Sequence, residues 1–166
     1  METSIPAMLI AAMLLVSTLV LGRSSYSSFS ELGDSWKAMG VRAGQQVRTQ
    51  LTITNVTHNS PYVDVGLRND GGTNLAEFER MDVVVEYTDS TPTFILAYID
   101  YSDGALSQNT WGIQSIGNDA FEPGILNPGE TLNMRIWLDP AAGSGTTNRL
   151  LIATELGVTI STTFQG

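Results

Sequence analysis

Three groups of side chains in this 166-residue sequence have types and spacings that could do chemistry. His58 is the sole histidine, and a general base or metal ligand needs a positioned partner. It stands in TNVTHNSP with no acid beside it, so it reads as a solvated residue in a polar turn between two strands. Asp100, Ser102 and Asp103, in DYSDG, could offer oxygens to Ca²⁺. An EF-hand needs acids at alternating positions and a distant bidentate Glu, which this segment lacks, so it reads as a hairpin turn built on Asp and Gly. Asn55-Val56-Thr57 is a complete N-glycosylation sequon, with Asn55 as candidate acceptor near the end of a strand.

The sequence contains no Gly-x-Ser-x-Gly elbow, no phosphate-binding glycine loop and no His-Glu-x-x-His pair. With no cysteine, disulfides, thiolate zinc sites and cysteine nucleophiles are excluded. No catalytic, cofactor or metal residue is assigned, and the expectation is a protein that is not an enzyme. The net charge of −9 arises from 17 acidic against 8 basic residues without a Lys/Arg cluster. That balance speaks against nucleic acid and against anionic membrane surfaces as partners.

The elements that remain are structural. Thr3 to Gly22 carries no charge, and Ile5 to Leu21 reads IPAMLIAAMLLVSTLVL, close to the ~20 apolar residues that cross a bilayer as a helix. A secretory signal would begin with basic residues and end at a small-x-small site, whereas this segment starts with Glu2 and continues into SSYSSFSEL. Arg23 is the one basic residue near either end, and by itself would hold the remainder of the chain in the cytoplasm. A basic leader removed from in front of Met1 would reverse that sign, and the expectation is an outward-facing C-terminal part.

Beyond Gly22 the pattern becomes one-sided. Tyr26, Phe29, Leu32, Trp36 and Met39 are spaced 3, 3, 4 and 3, one stripe of an α-helix, with Glu31, Asp34 and Lys37 elsewhere. Gly22, Gly33, Gly40 and Gly44 each weaken such a helix by roughly 1 kcal/mol relative to Ala, so it needs neighbours. From Ile5 to about Gln46 it would run on the order of 60 Å. Ala7, Ala11, Ala12, Ser17 and Gly22 would let another helix approach closely.

From Val47 the period changes to two. VRTQLTITNVT, YVDVGL, MDVVVEY, FILAYIDY, TWGIQSI, TLNMRIWL, RLLIAT and GVTISTTF are β-branched and aromatic runs separated by Gly, Asn, Asp and Pro clusters. The predicted fold class is α+β: a long N-terminal hydrophobic α-helix over residues 1–46, then a C-terminal antiparallel β-sandwich of Ig-like kind over residues 47–166.

The charge-free helix running into a sandwich, together with Phe121 to Phe164, resembles archaellins and the related archaellum accessory proteins, within the wider type IV pilin-like family. The specific part is Glu122 before Pro-Gly, then Asn127-Pro128-Gly129-Glu130 entering a strand, a Gly-rich turn and a final Gly-Val-Thr strand. Bacterial pilins usually carry an acid five residues into the mature helix; here that position is Ile5 and the nearest acid is Glu2, which fits the archaeal pattern better.

The resemblance implies a structural subunit of an extracellular surface filament, inserted in the membrane before assembly and used for swimming. Its partners would be further copies of itself in a helical homopolymer, a prepilin-type peptidase and a secretion and assembly ATPase. The polymerising face would comprise Ile5, Leu9, Met13, Leu14, Val16, Leu21, Tyr26, Phe29, Leu32, Trp36 and Met39. The alternatives within the resemblance are a minor stator or accessory protein anchored to the cell envelope, and an adhesive pilin.

Overall fold

The computed structural model describes residues 4–119 and 121–166, with side chains from Met8 onward; Met1 and Glu2, and the side chain of Ile5, lie outside the described set. The chain forms two compact units, Met1–Ala43 and Gly44–Gly166.

One helix, α1 (Ser4–Arg48), fills the described part of the first unit and enters the second. Pro6 sits in its first turn, where a missing N–H costs nothing, and no later proline interrupts the run. The strand expected from Val47 begins instead at Leu51, because the helix continues to Arg48. Local bonds fix that ending. Thr49 donates its N–H to Gln46 O at 3.2 Å and its hydroxyl to Gln45 O at 2.9 Å. Gly72 N–H then caps Arg48 O at 2.8 Å.

The eight apolar runs become eight strands among the described residues. They are β1 (Leu51–Asn59), β2 (Tyr62–Asn69), β3 (Asp82–Thr88), β4 (Phe94–Tyr101), β5 (Thr110–Gly117), β6 (Thr131–Trp137), β7 (Thr147–Ala153) and β8 (Thr159–Gln165). Their order is β1-β2-β6-β5-β4-β3-β7-β8. Two antiparallel layers, β1-β2-β6-β5 and β4-β3-β7-β8, are joined where β4 and β5 pair in parallel over two residues. The segment after β4 is therefore a crossover between layers and not the hairpin turn expected from DYSDG: Ser102 N–H bonds Trp111 O and Asp100 N–H bonds Asn109 O. At the other end β1 lies beside β8 without a ladder, so the sandwich is nearly a barrel.

Alternation buries one face of each strand. Val63, Val65 and Leu67 of β2, Leu132, Met134 and Ile136 of β6, and Trp111 of β5 meet Val83, Val85, Tyr87, Ile99, Leu150 and Ile152 from the opposite layer. The Asn127–Glu130 turn closes one end of this core. Gly129, at φ +87°, lets the chain reverse, Asn127 N–H donates to Glu130 Oε2 at 2.8 Å, and Asn69 N–H donates to Glu130 O at 3.0 Å. Asn69 Nδ2 also bonds Leu126 O and Thr73 O, tying the end of β2 to the loop that carries the turn.

Candidate assembly surfaces

In α1 every residue from Met8 to Arg48 is exposed, including Leu9, Met13, Leu14, Val16, Leu21, Tyr26, Phe29, Leu32, Trp36 and Met39. At about 100° per residue, Leu14, Leu21, Phe29, Leu32, Trp36 and Met39 project within roughly 80° of one another, a single stripe through both halves of the helix. The six charged residues Arg23, Glu31, Asp34, Lys37, Arg42 and Arg48 fall together on the opposite side, an arc of about 140°. Leu9, Met13 and Val16 lie off the main stripe and form a second feature. With Ala12 and Ser17 they line an apolar hollow, the kind of notch into which a neighbouring helix packs. The helix is long and apolar enough to cross a membrane.

The chemical candidates on the sandwich are not brought together. His58 lies in β1, opposite Val63, and not in a turn, because the reversal is completed by Ser60-Pro61 alone and the strand runs on to Asn59. Its ring is half-buried against Phe164, with centroids 6.2 Å apart, and burial pushes its pKa down. Its Nε2 has no hydrogen-bond partner among the described residues. Asp100 closes β4 through its backbone, Ser102 Oγ bonds Ala105 O, and Asp103 accepts from the Tyr101 hydroxyl at 3.5 Å. Among the described residues no group of three His, Asp or Glu side chains converges as a metal site would require.

Asn55 sits at a β-bulge, where Thr54 is the extra residue opposite β2. Its side chain leans over Gly66, where a Cβ would meet Asn55 Oδ1 and Thr54 Oγ1, so a larger residue there would require both side chains to move. Thr54 Oγ1 donates to Asn55 Oδ1 at 3.1 Å, and the residue is exposed on the rim of a shallow polar groove of about 210 Å³ with Asp64, Gln114, Asn133 and Arg135. The sequon is accessible there, on a strand.

One surface escaped the reading of the sequence. Phe94, Leu96 and Tyr98 alternate along β4 and all face outward, exposed 70%, 63% and 57%. FILAYIDY is apolar on both faces, so alternation alone gives no sign of which side is covered.

No family model matches this sequence, and no curated protein matches it. Solved structures do. The archaellum periplasmic stator protein FlaG from Sulfolobus acidocaldarius is 25% identical, with a TM-score of 0.54 over 70% of this chain and 99% of that one. The archaellum periplasmic stator protein complex of FlaF and FlaG from the same organism gives 25% identity and a TM-score of 0.53 over 70% of this chain and 89% of that one. The archaeal flagellum of Methanospirillum hungatei strain JF1 is 15% identical at a TM-score of 0.48, over 95% of this chain and 92% of that one, a likeness too slight to argue from. These neighbours are structural components and not enzymes. A helix free of charge as far as Gly22, an eight-stranded sandwich and this similarity together make the chain similar to the archaellum proteins, the archaellin-like family that includes the accessory proteins.

Proposed function

We propose that the chain is an accessory, stator-type subunit of an archaellum. The apolar first half of α1 anchors it in the membrane, and the sandwich from Leu51 onward works on the outer side, within the cell envelope. The observation that carries this reading is the 25% identity to FlaG, which spans 99% of that stator protein's chain. An acidic sandwich on one apolar helix, without a converging catalytic or metal cluster among the described residues, suits a mechanical role.

A second reading, the bulk filament subunit with a prepilin peptidase and an assembly ATPase as partners, is favoured by the stripe from Leu14 to Met39. It gives α1 an apolar face well past the length of a bilayer, which a core of parallel helices would cover.

The two separate in one experiment. Filaments are sheared from cells carrying a tagged copy, and the chain is quantified in filament and envelope fractions beside a deletion strain's swimming. A stator-type subunit stays with the envelope at low copy, and its loss stops swimming. Finding the chain as the main component of sheared filaments would replace the first reading with the second.

A further inference from the structure

Strand β4 is open along one flank. It pairs with β3 from Val83↔Ile99 to Thr88↔Phe94, but on its other side only Asp100 and Tyr101 meet β5. Backbone direction alternates along a strand, and two bonds fix the phase here. Asp89 N–H donates to Thr93 O on the β3 side, while Asp100 N–H turns the other way to Asn109 O. The N–H and C=O groups of Phe94, Leu96 and Tyr98 therefore point into the open flank. The same residues carry the exposed apolar side chains. Tyr98 is held in place, since its hydroxyl donates to Asp82 Oδ1 at 2.6 Å.

Natural sandwiches protect free edges with charge, proline, bulges or cover. β1 has its bulge at Thr54 and lies beside β8. Phe94 to Ile99 has no charge, no proline, no glycine and no bulge.

We propose that β4 joins two copies of this chain edge to edge, antiparallel, about a two-fold axis at Leu96. The run aromatic–aliphatic–aromatic reads the same in both directions, which is what a self-pairing strand requires. In this register Phe94 lies opposite Tyr98 of the second copy and Leu96 opposite Leu96, giving about six main-chain hydrogen bonds and two aromatic cross-strand pairs. Two chains of charge −9 repel, so their contact must be free of charge. With the axis at Leu96, Asp100 faces Pro92 outside the pairing window; moving the axis to Tyr98 would set Asp100 against Leu96. The pairing does not depend on whether the chain is an accessory or a bulk subunit.

Because the chain has no cysteine, single reporters are unambiguous. Directly opposed residues in a hydrogen-bonded antiparallel pair have Cα atoms about 5.5 Å apart, within disulfide range. In the full chain, purified in detergent and oxidised, Leu96→Cys should form a disulfide dimer. Phe94→Cys and Tyr98→Cys should cross-link when mixed but neither alone, and Ser161→Cys on β8 should remain monomeric. Adding Leu96→Lys to the mixed pair should cut cross-linking about tenfold with Tm unchanged, since Leu96 is exposed. Cross-linking of Leu96→Cys no faster than Ser161→Cys, equal products from Phe94→Cys alone and from the mixture, or persistence of the mixed product with Leu96→Lys would each overturn the proposal.

Discussion

Arg135 on β6 reaches across to Asp64 on β2 through two parallel hydrogen bonds, Nε to Oδ1 at 2.6 Å and Nη2 to Oδ2 at 2.9 Å. Its guanidinium also lies 5.4 Å from the centre of the Tyr62 ring, which meets Trp137 edge-on at 5.5 Å. Bidentate fork and cation–π contact are used together on the outside of one layer, and lysine cannot reproduce the fork. Arg135→Lys is expected to lower Tm by about 3–5 °C, corresponding to ~0.5–1 kcal/mol for a pair that is partly exposed. Thermal unfolding followed by circular dichroism measures it, and an unchanged Tm would show that the pair is only a surface contact.

Asp89 closes the β3–β4 hairpin. Its Oδ1 accepts from Thr93 N–H at 2.9 Å and Thr91 N–H at 2.8 Å, and the Thr91 hydroxyl adds a third donor. The Thr93 bond above all holds the carboxyl below its usual pKa. A folded-state pKa below the unfolded one contributes stability that is present above about pH 4 and lost as pH falls through the folded value. The Tm difference between wild type and Asp89→Ala should thus be constant above about pH 5 and shrink in acid. A difference that does not change with pH would refute the charged-acceptor account.

Glu155 behaves with the opposite sign. Its Oε2 is buried without a partner, and burial, reinforced by Glu77, pushes its pKa up. A raised carboxyl pKa means stability that is complete below the unfolded value near 4 and is lost as pH rises through the folded value. Glu155→Gln should raise Tm at neutral pH by about 2 °C and have no effect near pH 3. Equal shifts at both pH values would point to packing and not to charge.

The stripe on α1 gives a test in cells. Leu14→Glu places a carboxylate where the helix is apolar all round, at a cost of roughly 3 kcal/mol in a membrane, and should abolish assembly and swimming. Leu21→Arg should do the same. Trp36→Glu, past the apolar half, should retain membrane insertion but lose incorporation into the archaellum, whereas Lys37→Ala on the charged side should be silent. Normal swimming with Trp36→Glu would show that the stripe beyond Leu21 touches nothing.

Much of the molecule could be read from residue order alone. A charge-free run of apolar residues leaves a helix as the one local structure that satisfies its own backbone, and the change of period after the helix marks the sandwich. Each of the eight strands overlaps one run recognisable by alternation and by the Gly, Asn, Asp and Pro clusters between them, although most ends differ by one or two residues. The Asn127–Glu130 signature was legible because its turn needs glycine at positive φ. Tertiary structure decided what local pattern leaves open. Loop composition says that the chain turns, not which layer the next strand joins, so DYSDG looks like a hairpin although it crosses from β4 to β5 in the other layer. The polar neighbours of His58 look alike in a turn and on a strand; the run of β1 to Asn59 and its position beside β8 bring the ring against Phe164. Phe94, Leu96 and Tyr98 are apolar like core residues, and they face outward because β4 turns Ile95, Ala97 and Ile99 to the core; their backbone is open because β5 meets β4 only at Asp100 and Tyr101, a property of the whole sheet that no stretch of eight residues contains.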